Sequence, residues 1–117
     1  MKIIRSEEKQ WEEKEGYSKK IFLDEKDINH PGALVQKVKI KAGEVVKEHY
    51  HKKQTEIFYF LDSNSSWVIN DKEMNFKEGD FLVLEPFEKH SVSNNTKEES
   101  TILTFKLNYI DKDLYWS

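Results

Sequence analysis

Residues 43–56, GEVVKEHYHKKQTE, decide how this chain is read. His49 and His51 lie two apart, and Glu56 follows five residues after the second. Along a β-strand, side chains at i and i+2 leave the same face, so both imidazoles enter one space. The polar run Lys52-Lys53-Gln54-Thr55 suits a tight bend, and a strand returning antiparallel after it brings Glu56 back beside the rings. Two imidazoles and a carboxylate are three ligands for a divalent transition ion. His90 is a fourth candidate, provided the fold carries it to the same place.

Working outward, residues 34–40 (LVQKVKI) alternate, with Leu34, Val38 and Ile40 on one face and lysines on the other. That is the pattern of a half-buried strand. Further strands are expected at 2–5, 17–25, 44–51, 55–62, 81–84, 90–93 and 102–110, with a hairpin of 66–70 and 73–77 turning through Asn70-Asp71-Lys72. Trp11 and Tyr17 are expected to cap one end of the core. Asn29-His30-Pro31-Gly32 is a turn by composition, with His30 an exposed member of it. The aromatic tail DKDLYWS is expected to dock on the surface. Nine or ten short strands, recurrent turn signals and no clear helix predict an all-β antiparallel sandwich or barrel. No linker or repeat divides residues 1–117, so one domain is expected.

Composition narrows the function. The net charge of −3 disfavours nucleic acid as a partner. Arg5 is the only arginine among 19 basic residues, so bidentate clamping of phosphate is nearly unavailable. Cysteine is absent, which removes disulfides, thiolate metal sites and thiol nucleophiles. The start MKIIRSEEKQ turns acidic before an apolar run forms, and the longest apolar run, 57–61, is far short of a membrane span. A cytoplasmic protein is therefore expected.

The chain resembles the cupin superfamily, of the small single-domain type-2, RmlC-like kind. The first cupin motif is a glycine, five residues, His-x-His, three or four residues, Glu, six residues and Gly; Gly43, His49, His51 and Glu56 fall in register. The second is a glycine, five residues, Pro-x-Gly, two residues, His, three residues and Asn; Gly79, His90 and Asn94 fall in register. The motif core spans 43–94. Three positions depart: Ser63 replaces the last glycine of the first motif, Phe87 replaces the internal glycine of the second, and Pro86 sits one residue late. The resemblance implies a cupin-type double-stranded β-helix, a jelly-roll barrel. It also implies a divalent transition ion (Fe, Mn, Ni, Co, Cu or Zn) held by His49, His51, Glu56 and His90. Gly43, Gly79 and Asn94 read as structural turn and loop residues.

If Glu56 points inward, Phe58 and Phe60 do as well, and Phe58 becomes a candidate pocket wall. Lys47, two residues before His49, is a candidate for the site mouth. Tyr50 should face away from the rings. The opposite face of 57–61 is also apolar and needs a cover, supplied by the N-terminal segment or by a second subunit; a homodimer is expected. These features support a small metal-dependent enzyme acting on an oxygen-bearing small molecule, with Glu56 as its catalytic carboxylate and dioxygenase, isomerase, decarboxylase or lyase chemistry left open. The alternative is a non-catalytic sugar-binding or sensor module of the same fold. A metal-free carbohydrate epimerase fits less well, because all four ligand types are intact.

Overall fold

The computed structural model describes residues 1–117. Its strands are β1 (Glu12–Lys14), β2 (Tyr17–Leu23), β3 (Leu34–Ile40), β4 (Val45–Tyr50), β5 (Thr55–Phe60), β6 (Ser66–Ile69), β7 (Lys72–Asn75), β8 (Phe81–Leu84), β9 (His90–Ser93), β10 (Ser100–Leu107) and β11 (Tyr115–Trp116). They form a six-stranded sheet, β1-β2-β3-β10-β5-β8, and a five-stranded sheet, β11-β4-β9-β6-β7. Every pairing is antiparallel. Successive strands such as β4 and β5 belong to opposite sheets, which is the double-stranded β-helix expected from the sequence.

Period-two alternation places the core. Along β5, Glu56, Phe58 and Phe60 are buried while Ile57 and Tyr59 are only half-buried. Ile102 of β10 faces Phe60, and each is 1% exposed. Burying an apolar side chain of this size contributes about 2 kcal/mol. Ile40, Val46, Trp67, Ile69, Leu84 and Val92 complete the core between the sheets. Trp67 sits edge-on to Phe58 and Phe60 and donates its indole N–H to Ser65 Oγ at 3.0 Å. The hairpin of β6 and β7 turns through Asn70 and Asp71 at φ 49° and 68°, the two left-handed residues of a type I′ turn.

Four sequence expectations need correction. Residues 2–5 form no strand, and a 3₁₀ turn follows at Ser6–Glu8. The sheet edge is instead β1, a wholly polar strand in which Glu12 faces Lys19, so its pairing leaves no apolar alternation to read. Trp11 does not cap the core; Lys20 and Lys39 place their ammonium groups over its ring on the outside. A one-turn helix, α1 (Glu25–Ile28), is present, started by a capping box in which Asp24 and Asp27 accept each other's backbone N–H. The aromatic tail does more than dock: it adds β11 to the edge of β4, with Trp116 opposite His49.

Asn94 is fully buried and structural. Its side chain donates to the carbonyls of Ile40 and Glu98 and accepts from Thr96. The loop containing Pro86 keeps the geometry of the motif glycine without the glycine. Phe87 adopts φ 72° there, and its N–H donates to the His51 carbonyl at 2.7 Å.

Gly16 turns β1 into β2 at φ +85°, and a Cβ there would sit 2.1 Å from the Val45 carbonyl oxygen. Gly43 has a similar φ of +82° but open space around it. Gly16→Ala should therefore cost roughly 3 kcal/mol or more through strain and displaced backbone, and Gly43→Ala only about 1 kcal/mol. Urea denaturation of both variants checks this; equal losses would contradict the packing of the β1–β2 turn onto β4.

Candidate metal centre

The three histidines come together at one end of the barrel. His49 on β4 pairs in register with His90 on β9, and their ring centroids are 4.2 Å apart. His51 follows directly after β4, with its ring 5.4 Å from His49 and 5.8 Å from His90. The ladder of β4 on β9 slips between Val46 and His49. This bulge puts Val46, rather than Lys47, on the same inner face as His49. All three histidines are buried, and each offers a ring nitrogen within 4.8 Å of the other two.

The orientation of each ring is fixed from behind. His49 Nδ1 meets the Lys47 carbonyl at 2.8 Å, and His90 Nδ1 meets the Glu88 carbonyl at 3.0 Å. His51 Nδ1 meets the carbonyl of Asp113, far along the chain. A carbonyl can only accept, so each Nδ1 carries the hydrogen and each Nε2 presents a lone pair forward. That is the tautomer a metal ligand needs. Glu56 enters from β5 in the opposite sheet, its Oε1 3.0 Å from His51 Nε2 and 3.5 Å from His90 Nε2. These approaches are close but misdirected for hydrogen bonds: His51 Nε2 and Glu56 Oε1 are buried without a hydrogen-bond partner. Buried polar atoms left so are costly, and a shared cation would satisfy both. The donor set thus fits a divalent transition ion, and the described chain carries a buried three-histidine cluster of the kind that holds one.

Burial dominates the electrostatics of the rings. It pulls the His49 imidazole down to about 4, with His90 adding to the effect, and lowers His90 as well. Burial also depresses His51, but the adjacent Glu56 carboxylate outweighs it and leaves the group above its ordinary value. Burial alone would raise the Glu56 carboxyl; His51 reverses this and holds it at about 2. Burial thus favours neutral imidazoles at His49 and His90, while the Glu56 carboxylate pulls His51 the other way, toward its protonated form.

Asp113 supports this arrangement. Its carboxylate accepts the N–H groups of Lys52, Lys53 and Gln54 at 2.9, 2.9 and 3.0 Å, fixing the bend between His51 and Glu56. Burial raises its pKa, and the three donors bring it below the usual carboxylate range.

The cavity in front of the rings is walled by Val38, Ile40, Val46, Phe58, Val92 and Ile102. Phe58 lines it as the alternation requires. Lys47 does not: its ammonium lies in solvent, 3.3 Å from Glu15. Tyr50 faces away, stacked on Tyr115 and Phe87. His30 is exposed in its turn, with Nδ1 on the Ile28 carbonyl. Sequence reasoning missed Tyr17, Gln36, Lys106 and Trp116, all of which line the cavity. Period two within 34–40 carried the signal for Gln36, which shares the inner face with Leu34 and Ile40.

The family described as "Cupin domain" matches residues 36–106 of this chain. No curated protein matches the sequence. Among solved structures, a predicted oxalate decarboxylase from Thermotoga maritima superposes with a TM-score of 0.82 at 22% identity, covering 92% of this chain and 100% of that one. KdgF from Halomonas sp. gives 0.80 at 18% identity, covering 95% and 96%. Pac13 from Streptomyces, a nucleoside dehydratase, gives 0.78 at 15% identity, covering 100% and 91%. At these identities the likeness is one of fold.

The depressed His49 pKa has a consequence for the metal-free protein. A group held at about 4 when folded and at 6.5 when free stabilises the fold fully above pH 6.5 and loses that contribution as pH falls toward 4. His49 alone accounts for at most about 3 kcal/mol of this loss. His90 acts in the same direction, whereas raised His51 contributes most below pH 6.5 and less as pH rises through its own pKa. Urea denaturation in the presence of a chelator should show stability falling from pH 6.5 to 4, with a shallower fall in His49→Gln. Identical profiles for the two proteins would refute the assignment.

Proposed function

The chain belongs to the cupin family, and from that premise we propose that it is a metal-dependent enzyme acting on a small oxygen-bearing molecule. His49, His51 and His90 hold a divalent transition ion, and Glu56 completes the set. The observation that carries this reading is the shared orientation of the rings: three Nδ1 atoms held by backbone carbonyls, and three nitrogens turned toward one apolar cavity. A divalent ion in that place would act as a Lewis acid on a substrate oxygen.

The chain's own residues do the rest. Phe58, Val38 and Ile102 keep the cavity apolar and strengthen every electrostatic contact inside it. Glu56 is the carboxylate of the centre, its Oε1 3.0 Å from His51 Nε2 and 3.5 Å from His90 Nε2. Tyr17 lines the same cavity; burial, and then Glu56, raise its pKa, so its hydroxyl remains a donor. A predicted oxalate decarboxylase and a nucleoside dehydratase among the structural neighbours are in keeping with a reaction that removes a small group from an oxygenated substrate.

Purified protein should carry about one transition ion per chain. His51→Ala and His90→Ala should each bind it at least tenfold more weakly, as elemental analysis after dialysis would show. Glu56→Gln should keep part of the metal and lose at least tenfold in turnover of any substrate found by screening. Full metal content in both histidine variants would end the metal-centre reading. A loaded protein whose ion no carboxylate, diketone or catechol perturbs spectroscopically would end the enzyme reading.

A homodimer belongs to the same proposal. The outer face of β5 and β8 carries Ile57, Tyr59, Phe81 and Val83, with Phe81 63% and Val83 54% exposed. The N-terminal segment does not cover it, since Trp11 lies against β2 and β3 instead. Phe81→Glu should shift the mass measured by light scattering from dimer to monomer while preserving the fold; a wild-type monomer at all concentrations would refute the dimer.

A further inference from the structure

The cavity wall opposite the histidines is not uniformly apolar. On β10 the inward row runs Ile102, Thr104, Lys106, and the last pairs with Glu56 on one side and Leu34 on the other. Thr104 pairs with Gln36 and Phe58. Gln36, only 3% exposed, lines the cavity, yet its Oε1 has no hydrogen-bond partner, and neither does Thr104 Oγ1 beside it. Lys106 is half-buried and makes no side-chain hydrogen bond. No carboxylate lies within 4.0 Å of its ammonium, which sits over the ring of Tyr109 with the centroid 5.1 Å away. It stands at the neck, lining both the inner cavity and the vestibule outside it, together with Tyr17, His51, Leu114 and Trp116.

A half-buried ammonium with no carboxylate in contact, next to a buried amide oxygen without a partner, is an arrangement that an incoming group can relieve. We propose that the cavity takes a small hydroxy acid, its carboxylate paired with Lys106 and a hydroxyl bonded to Gln36. The chemistry selects this class. Lysine offers a point charge to a carboxylate. A hydroxyl both donates and accepts, so it satisfies the Gln36 amide in either orientation. A phosphate ester fits less well, because Lys106 is the one lysine on the inner wall and no arginine joins it. The inference rests on the metal-centre reading only for a third point of attachment, a substrate oxygen facing the histidines.

The test is calorimetric titration of glycerate and of its neutral amide into wild type, Lys106→Met, Lys106→Arg and Gln36→Leu, each in metal-loaded and chelator-treated form. Wild type should bind glycerate at least tenfold more tightly than the amide. Lys106→Met should lose at least tenfold for the acid and leave the amide and the metal content unchanged, Lys106→Arg should keep most of the preference, and Gln36→Leu should weaken both ligands. Wild-type affinity for glycerate in Lys106→Met would overturn the proposal, as would equal affinity of wild type for acid and amide. If Lys106→Met fails to fold, the acid-to-amide ratio of the chelated wild type decides. The two readings fail separately. A lysine-dependent acid preference in a protein that takes up no ion ends the metal centre alone, and an ion held without that preference ends the hydroxy-acid site alone.

Discussion

Three hydrogen bonds from imidazole Nδ1 to main-chain carbonyls govern the rest of the centre. They fix the tautomer, aim the free nitrogens and hold the rings against the mutual crowding of buried polar groups. Two are local: His49 and His90 each reach the carbonyl two residues back on the same segment. The third is not. His51 depends on Asp113, whose carboxylate also fixes the following bend, so one residue near the end of the chain sets both a ring and the path to Glu56.

The cavity is sparing with charge. Burial favours neutral imidazoles at His49 and His90, and the carboxylate of Glu56 and the ammonium of Lys106 are the charged groups that face the interior beside them. Glu56 and Lys106 occupy facing positions on β5 and β10, yet they do not close into an ion pair. The carboxylate turns toward the histidines, and the ammonium is left at the neck. Apolar walls magnify both fields.

The sequence made the centre more legible than its surroundings. The spacing of His49, His51 and Glu56 and the alternation through Phe58 and Phe60 follow from strand geometry, and the structure keeps both. Lys47 failed because a bulge breaks the period of two between Val46 and His49, and no residue in that stretch announces one. Lys106 was unreadable for a different reason. An isolated lysine in a half-buried strand looks like any solvent-facing alternate until the register with Glu56 is known. The polar edge strand β1 and the two-residue β11 form through backbone pairing, which leaves little trace in side-chain pattern. Phe87 shows the converse: it stands where the second motif has a glycine, and the chain adopts the left-handed conformation there with a bulky residue, at a cost of about 1 kcal/mol.

The position of β10 bears on how the molecule is made. It lies between β3 and β5, so the six-stranded sheet has a gap at its middle until residues 100–107 leave the ribosome. Until then β3 and β5 each present an open edge, the kind of surface that pairs with other chains. Nascent protein already displays His49, His51 and Glu56 during that interval, but their supports from β9 and Asp113 have still to be synthesised or docked. Such non-local closure is slow compared with helix formation. The barrel is therefore completed after translation of its last strands, and its histidines and Glu56 remain unassembled until then.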